Sequence, residues 1–462
     1  MENLDYSRIL SDFCANLRYE DIPDSTIDYT KLLLIDYFAA AIAGCRINKV
    51  FNSALESAVF PMGGKPESQV LYHRLKLPAP LAALMNGAYS HGADMDDGHK
   101  ASLGHPACAT MPAVMALAET LPASGKDVLK AIVIGYEFMV RLSAAVMPAH
   151  LRKRGFHSSA TAGTVGATMA CASLMKLDPE KTYYALGLGC TQASGLMLLS
   201  ESGQSMKPLN PGKAAFSGIL AARILAGGPV VGPQHPLESE KGFFRAYGED
   251  IRYNELTDGL GTDFRIAGSY MKPYPSCRHT HAGIEAMEEL HGKVDDLYGI
   301  EAINEYTYPT AISVAGRPEN HFPTSADGAK FSIAYTACCA LVNGSFGLDD
   351  LERAGNCDAR ITGLSRKFHM IPDESKEDIA RGVRGCTIEI IMKDGRRFTK
   401  DVAVPKGDAE TPMSLDDMRA KLAACAGDFI PGERQEEIVS AVLGLDRRES
   451  FAGFMDMFAV EL

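Results

Sequence analysis

The feature that most narrows the possible folds is a change of rhythm near Ser269. From Asp24 to about Ala267, apolar residues recur at helical spacing in a sequence rich in Ala, Gly, Leu and Met, the pattern of helices that bury one face. The spacing predicts helices over 25–44, 79–90, 109–121, 127–147, 158–177 and 212–227, several of which stop at glycine or before proline. "HSSATAGTVGATMACASLMKL" (157–177) carries Ala, Gly and Ser along its whole length, so neighbouring helices can approach it closely. Beyond Ser269, β-branched residues gather in 305–316 and 386–405. The second stretch reads as a hairpin turning at Lys393, Asp394, Gly395 and Arg396. Helices are expected between them at 282–291 and 329–342. After Gly407 the pattern is helical again, with Ser414 and Asp417 spaced as an N-cap pair. The expectation is a mostly α protein: a helical domain over 1–268, a smaller α+β domain over 269–405, and a return to the helical domain over 406–462.

A chain of 462 residues exceeds what one hydrophobic core usually serves, which agrees with two domains. The formal net charge of −12, with no run of Lys and Arg interleaved with aromatics, speaks against a nucleic-acid partner. The first residues lack the basic and unbroken apolar segments of a signal peptide, so the expected location is the cytoplasm. "KLLLIDYFAAAIAG" (31–44) is interrupted by Asp36 and falls short of the roughly 20 apolar residues that span a bilayer, so it reads as a buried helix, not a membrane anchor. Eleven cysteines without regular spacing, two of them adjacent at Cys338 and Cys339, predict reduced core thiols. No Cys-x-x-Cys for an iron–sulfur cluster and no nucleotide-binding glycine motif occur.

Chemistry concentrates in four stretches. "HGADMDDGHKASLGHP" (91–106) gathers His91, Asp94, Asp96, Asp97, His99 and His105, which could hold a metal, move a proton or cap a helix. "RKRGFHSSATAG" (152–163) sets three basic residues before His157, with Ser158 or Ser159 placed to cap a helix whose amides would favour an anion. "SGQSMKPLNPGKAA" contributes Lys207 beside Pro208. "YMKPYPSCRHTHAG" packs Lys272, Cys277, Arg278, His279 and His281 into a proline-bounded turn. Histidines of near-neutral pKa among fixed cations suit a substrate with two or three carboxylates: the cations orient it and stabilise the anion formed when a proton moves at a carbon next to a carboxylate.

With "DMDDGHKASLGHP", "RGFHSSATAGTVGA", the Lys-Pro of "SMKPLNPGKAA", "KPYPSCRHTH" and "DAETPMSLDDM" in this order, the chain resembles the MmgE/PrpD family of 2-methylcitrate dehydratases, cis-aconitate decarboxylases and iminodisuccinate epimerases. The resemblance implies a helical domain formed by both chain ends, an inserted α+β lid domain, a homodimer and an active site in the cleft between domains. It implies no metal and no organic cofactor. By position the catalytic residues would be Asp94, His105, His157, Lys207 and Lys272, with His99, Cys277, Arg278, His279 and His281 binding substrate. Decarboxylases of the family resemble each other in carrying threonine where this chain has Gly98 and histidine where it has Cys277, which ranks decarboxylation last. The expectation is a hydro-lyase on a small di- or tricarboxylate, with an epimerase as the alternative and a carboxylate-binding protein without turnover as the non-enzyme reading.

Overall fold

A computed structural model describes residues 4–200, 205–378 and 383–460. The chain forms two compact units. One comprises the residues up to Gly92, Asp96–Tyr270 and the chain from Met418 on; the other comprises Ala93–Met95 and Met271–Asp417.

The first unit is helical. Its main helices are Asp24–Ile47, Ala79–His91, Ala107–Ala118, Gly125–Val146, Thr161–Leu174 and Leu209–Ala226, where the periodicity predicts them. Every residue of Thr161–Leu174 is buried, because its small side chains let Gly125–Val146 and Leu209–Ala226 pack directly against it. A Cβ on Gly166 would stand 2.6 Å from the Gly135 carbonyl oxygen, and one on Gly218 2.6 Å from the Ala167 Cβ. Close packing of this kind leaves no room for an added methyl, whose insertion costs about 1–3 kcal/mol.

Asp36 interrupts the apolar run for a reason that lies 385 positions away: its carboxylate receives Lys421 Nζ at 2.5 Å, with both side chains buried. A second pair, Lys31 to Asp446 at 2.8 Å, docks the returning chain on the same helix. No helix among the described residues is long and apolar enough to cross a membrane. All eleven cysteines are free thiols, most of them buried.

The cap expected at the start of this unit's fifth main helix is not formed. Neither Ser158 nor Ser159 caps the helix that follows His157. It begins at Thr161 with no side-chain cap, and its first amides bond back to the His157, Ser158 and Ala160 carbonyls. The basic residues before it lie at the surface, where Lys153 pairs with Glu249 at 2.7 Å and Arg154 donates to the Ala246 carbonyl.

The second unit is α+β. Its four-stranded sheet runs in the order Arg397–Val402, Cys386–Met392, Ile300–Thr307, Phe368–Pro372; the last pair is parallel and the others antiparallel. Cys386, Ile388, Ile390 and Met392 point inward under the helix His281–Leu290, which Ile333–Asn343 covers in turn. The hairpin turns as expected, with Gly395 at φ +88°, a left-handed conformation that favours glycine. The stretch 305–316 does not stay extended. The strand ends at Thr307, and Pro309 opens the helix Pro309–Ala315, where the missing N–H of proline costs no hydrogen bond. Ser414 and Asp417 form the expected reciprocal cap: Ser414 Oγ donates to Asp417 Oδ2 at 2.8 Å and accepts from Asp417 N–H at 3.2 Å.

Candidate active site

The acids and histidines of 91–106 separate into different tasks. Asp97 is structural: it accepts the Ala107 N–H at 3.0 Å, capping Ala107–Ala118, and the Tyr136 hydroxyl at 2.8 Å. Burial, with the Asp96 charge alongside, pushes its carboxyl well above the usual range. His99 is a core histidine, held by Gly104 through its backbone and packed against Gly268, whose Cβ would stand 2.9 Å from the ring. Burial lowers its pKa to about 4, so it is neutral. The His99 side chain is buried, with Nδ1 making no hydrogen bond among the described residues.

The remaining groups converge in the helical unit. His91, at the end of Ala79–His91, brings Nδ1 to 2.8 Å from Asp96 Oδ2, and both side chains are fully buried. His105 donates from Nδ1 to the Asp97 carbonyl at 2.6 Å, and the same nitrogen lies 3.5 Å from Asp96 Oδ2. Ser159 Oγ accepts the His105 N–H at 2.9 Å, so the serine expected to cap a helix instead fixes a histidine. The His91 ring lies 4.7 Å from that of His105 and 5.9 Å from that of His157, centroid to centroid. His157 Nδ1 accepts from the Asn210 amide at 3.2 Å, and the same amide nitrogen donates to the Leu196 carbonyl, which fixes the orientation of Asn210.

Two tautomers follow. A carbonyl can only accept, so His105 carries its proton on Nδ1 and, when neutral, its lone pair on Nε2. Asn210 donates, so His157 carries its proton on Nε2. Burial, then the Lys207 charge and the neighbouring histidines His91 and His105, hold His157 well below its ordinary pKa and keep it neutral. Lys207, half-buried just before Leu209–Ala226, supplies the positive charge felt at both His157 and Cys108. A basic nitrogen and a neutral N–H donor therefore stand in one cluster beside a cation.

His91, Asp96 and Cys108 also offer three donor atoms within 4.8 Å of one another. Burial and the charges of Asp96 and Asp97 push the Cys108 thiol well above its ordinary pKa, so without a metal cation beside it the thiol is protonated.

In the α+β unit, Lys272 is buried and donates to the Asp94 carbonyl at 2.8 Å, with its Nζ 3.4 Å from Asp94 Oδ2. Asp94 holds φ +53°, a left-handed conformation that costs energy for a residue with a Cβ. The 276–281 turn is chiefly bracing. Arg278 is buried and sends its guanidinium to the Lys406 carbonyl at 2.9 Å, the Pro405 carbonyl at 2.8 Å, Asp408 Oδ1 at 2.7 Å and His281 Nδ1 at 2.9 Å. His281 donates from Nε2 to the Ser276 carbonyl at 3.2 Å, and burial followed by the Arg278 charge keeps it neutral. Both side chains were expected to bind substrate; the bonds they make here tie this turn to the 405–408 loop. His279 Nδ1 meets the Tyr308 hydroxyl at 2.5 Å, and the Cys277 backbone N–H bonds to the Lys330 carbonyl at 2.8 Å.

Of the residues expected to be catalytic, His105, His157 and Lys207 thus share one unit, while Asp94 and Lys272 pair in the other. Sequence reasoning gathered His91 and Asp96 in this cluster without giving either a role, and missed Asn210. The five-residue spacing from His91 to Asp96, across a helix end, was the available signal; Asn210 carried none.

The chain matches the MmgE/PrpD N-terminal domain over residues 8–255 and the MmgE/PrpD C-terminal domain over residues 274–447. It is 28% identical to a cis-aconitate decarboxylase of Aspergillus terreus, over 98% of this chain and 96% of that protein. It is 26% identical to the cis-aconitate decarboxylase of Homo sapiens, over 94% of this chain and 90% of that protein. The cis-aconitate decarboxylase of Mus musculus is also 26% identical, over 94% of this chain and 89% of its own length.

Proposed function

Because the chain belongs to the MmgE/PrpD family, we propose that it is a lyase acting on a small di- or tricarboxylate, with His105 as the proton carrier and Lys207 as the cation that holds the substrate and its developing charge. The observation that carries this reading is the pair of opposite tautomers: a lone pair on His105 Nε2 and an N–H on His157 Nε2, in one cluster with Lys207.

The similarity to cis-aconitate decarboxylases raises decarboxylation, ranked last from Gly98 and Cys277, to the first candidate reaction. In that reaction the bond to one carboxylate breaks and carbon dioxide leaves. The electron pair passes into the conjugated system of the remaining carboxylates, and carbon takes a proton from His105. Asp96, 3.5 Å from His105 Nδ1, stabilises the imidazolium that must exist beforehand. Dehydration is the second reading, favoured by Gly98 and Cys277. It uses the same atom in the opposite sense: neutral His105 takes the carbon proton, and the imidazolium so formed returns it to the departing hydroxyl, which leaves as water.

Incubation with cis-aconitate, citrate and 2-methylcitrate in deuterium oxide separates these outcomes. Carbon dioxide release with one deuterium fixed in the product supports decarboxylation. Alkene formation without carbon dioxide supports dehydration, and deuterium uptake alone supports epimerisation. No change in any substrate, with binding retained, would leave the carboxylate-binding reading in place of the lyase.

A further inference from the structure

His157 sits in a frame that leaves its ring little choice. Its backbone N–H bonds to the Gly195 carbonyl at 3.1 Å, and Phe156 pairs with Leu196 in an isolated β-bridge. Gly195 holds φ +147°, and a Cβ there would overlap that of Ala160 and stand 3.2 Å from Asn210 Oδ1, so the segment approaches as only glycine allows. Asn210 closes the frame from the helix Leu209–Ala226, with one amide nitrogen donating to the Leu196 carbonyl and to His157 Nδ1, each at 3.2 Å. The Leu196 carbonyl only accepts, so the amide cannot turn round without losing that bond. The Asn210 N–H bonds to the Lys207 carbonyl at 3.2 Å, which places the cation and the amide on one turn.

The other ring nitrogen is the informative one. His157 is 3% exposed, and its Nε2 makes no hydrogen bond among the described residues. A buried N–H without a protein partner costs free energy that a ligand acceptor would recover. Beside Lys207, the acceptor that suits it is anionic.

We propose that Asn210 is a positioning residue of this site, which holds His157 as an Nε2–H donor so that the imidazole binds a carboxylate oxygen of the substrate. The proposal rests on the lyase reading above. The same amide could serve only to tie the 195–196 segment to the helix, a brace for which the ring tautomer is immaterial.

Nitrogen-15 NMR of the histidine-labelled protein at neutral pH, with His157 assigned by comparison with His157→Gln, reads the tautomer directly. The expected spectrum has a bare Nδ1 and a protonated Nε2, and saturation with the unreactive probe tricarballylate shifts the Nε2–H signal. Asn210→Asp offers the ring only an acceptor, which moves the proton to Nδ1 and turns a lone pair toward the substrate. KM for the best polycarboxylate and Kd for tricarballylate should both rise about 10- to 100-fold, the size of one lost hydrogen bond to a charged group, with kcat changed far less. Asn210→Leu removes the amide without adding charge or forcing the proton onto Nδ1, and should raise KM much less. A parent ring protonated on Nδ1, or an Nε2–H signal unmoved by saturating tricarballylate, overturns the inference even if neither variant folds. A KM raised as far in Asn210→Leu as in Asn210→Asp makes the amide a brace and overturns it too, while the lyase reading stands. If the parent neither turns over nor binds any polycarboxylate, the lyase reading fails and takes this inference with it.

Discussion

In the helical unit, His105 and His157 each have one ring nitrogen committed to a structural partner, Asp97 and Asn210. In the α+β unit, His281 spends both nitrogens on the protein, accepting from Arg278 and donating to Ser276. The two stretches look alike as sequence, since both crowd histidines and charges between glycines and prolines. They differ in what surrounds them. The helical unit sets its histidines against carbonyls, carboxylates and an amide that each engage one nitrogen and so define a tautomer. The α+β unit surrounds Arg278 and His281 with acceptors that engage both terminal nitrogens of the guanidinium and Nε2 of the imidazole. Density of titratable residues therefore signals a polar cluster, and the partners decide whether it is chemistry or a brace.

The contrast is broken first at the proton carriers. His105→Gln and His157→Gln should each lower turnover by a factor on the order of 10² to 10⁴, the usual worth of a general acid or base, with melting temperatures near that of the parent. Near-parental turnover in both variants would remove histidine acid–base chemistry from the helical unit.

The matching experiment in the α+β unit is Arg278→Met. It leaves Asp408 buried without its cation and two carbonyls without their donor, so denaturant unfolding should show a loss of about 3–5 kcal/mol. An Arg278→Met protein as stable as the parent but with a sharply raised KM would make this arginine a substrate ligand after all.

Glu305 sharpens the comparison through pH. Its carboxyl is fully buried on the strand Ile300–Thr307 with no hydrogen-bond partner among the described residues, and burial raises its pKa to about 8. The folded state therefore holds this proton more tightly than the unfolded chain. The sign follows: stability from this group is fully present below the ordinary carboxyl pKa and is lost as pH rises toward 8. Glu305→Gln should remove that slope, leaving the variant more stable than the parent at pH 8.5 by on the order of 3 kcal/mol and little different at pH 5. Parallel melting curves for both proteins across that range would show that Glu305 is not held neutral by the fold.

The smallest effect on turnover is expected at His99, a neutral core histidine inside the same acid-rich stretch as His105. His99→Gln should change initial rates by less than about threefold while costing about 1–2 kcal/mol of stability, the range of a buried polar replacement. A loss of activity comparable to that of His105→Gln, without a lower melting temperature, would return His99 to the site.

The helices of the first unit were legible because their period repeats over many turns and their small residues mark the close crossings, as at Gly135 and Gly166. The hairpin was legible from Asp394 and Gly395. The helix after Thr307 was misread because β-branched residues outweighed the proline that starts it. At the site, His105, His157, Lys207, Asp94 and Lys272 stood out as chemistry-bearing types in dense motifs. His91 and Asp96 stood in the same dense motif but carried no signal of their role, and Asn210 looked like any loop polar residue.

The order of residues alone determined the mostly helical class, the change to an α+β region, the reciprocal cap at Ser414 and Asp417, and the family to which the chain belongs, since each depends on spacing along the backbone. Tertiary structure decided which partner each histidine ring nitrogen meets, that Asp36 meets Lys421, and that Tyr270 occupies the place left by Gly98. Those outcomes depend on partners distant in sequence. A hydrogen bond, a buried charge or a steric overlap is set by distances of a few ångströms between atoms whose separation along the chain carries no trace of it.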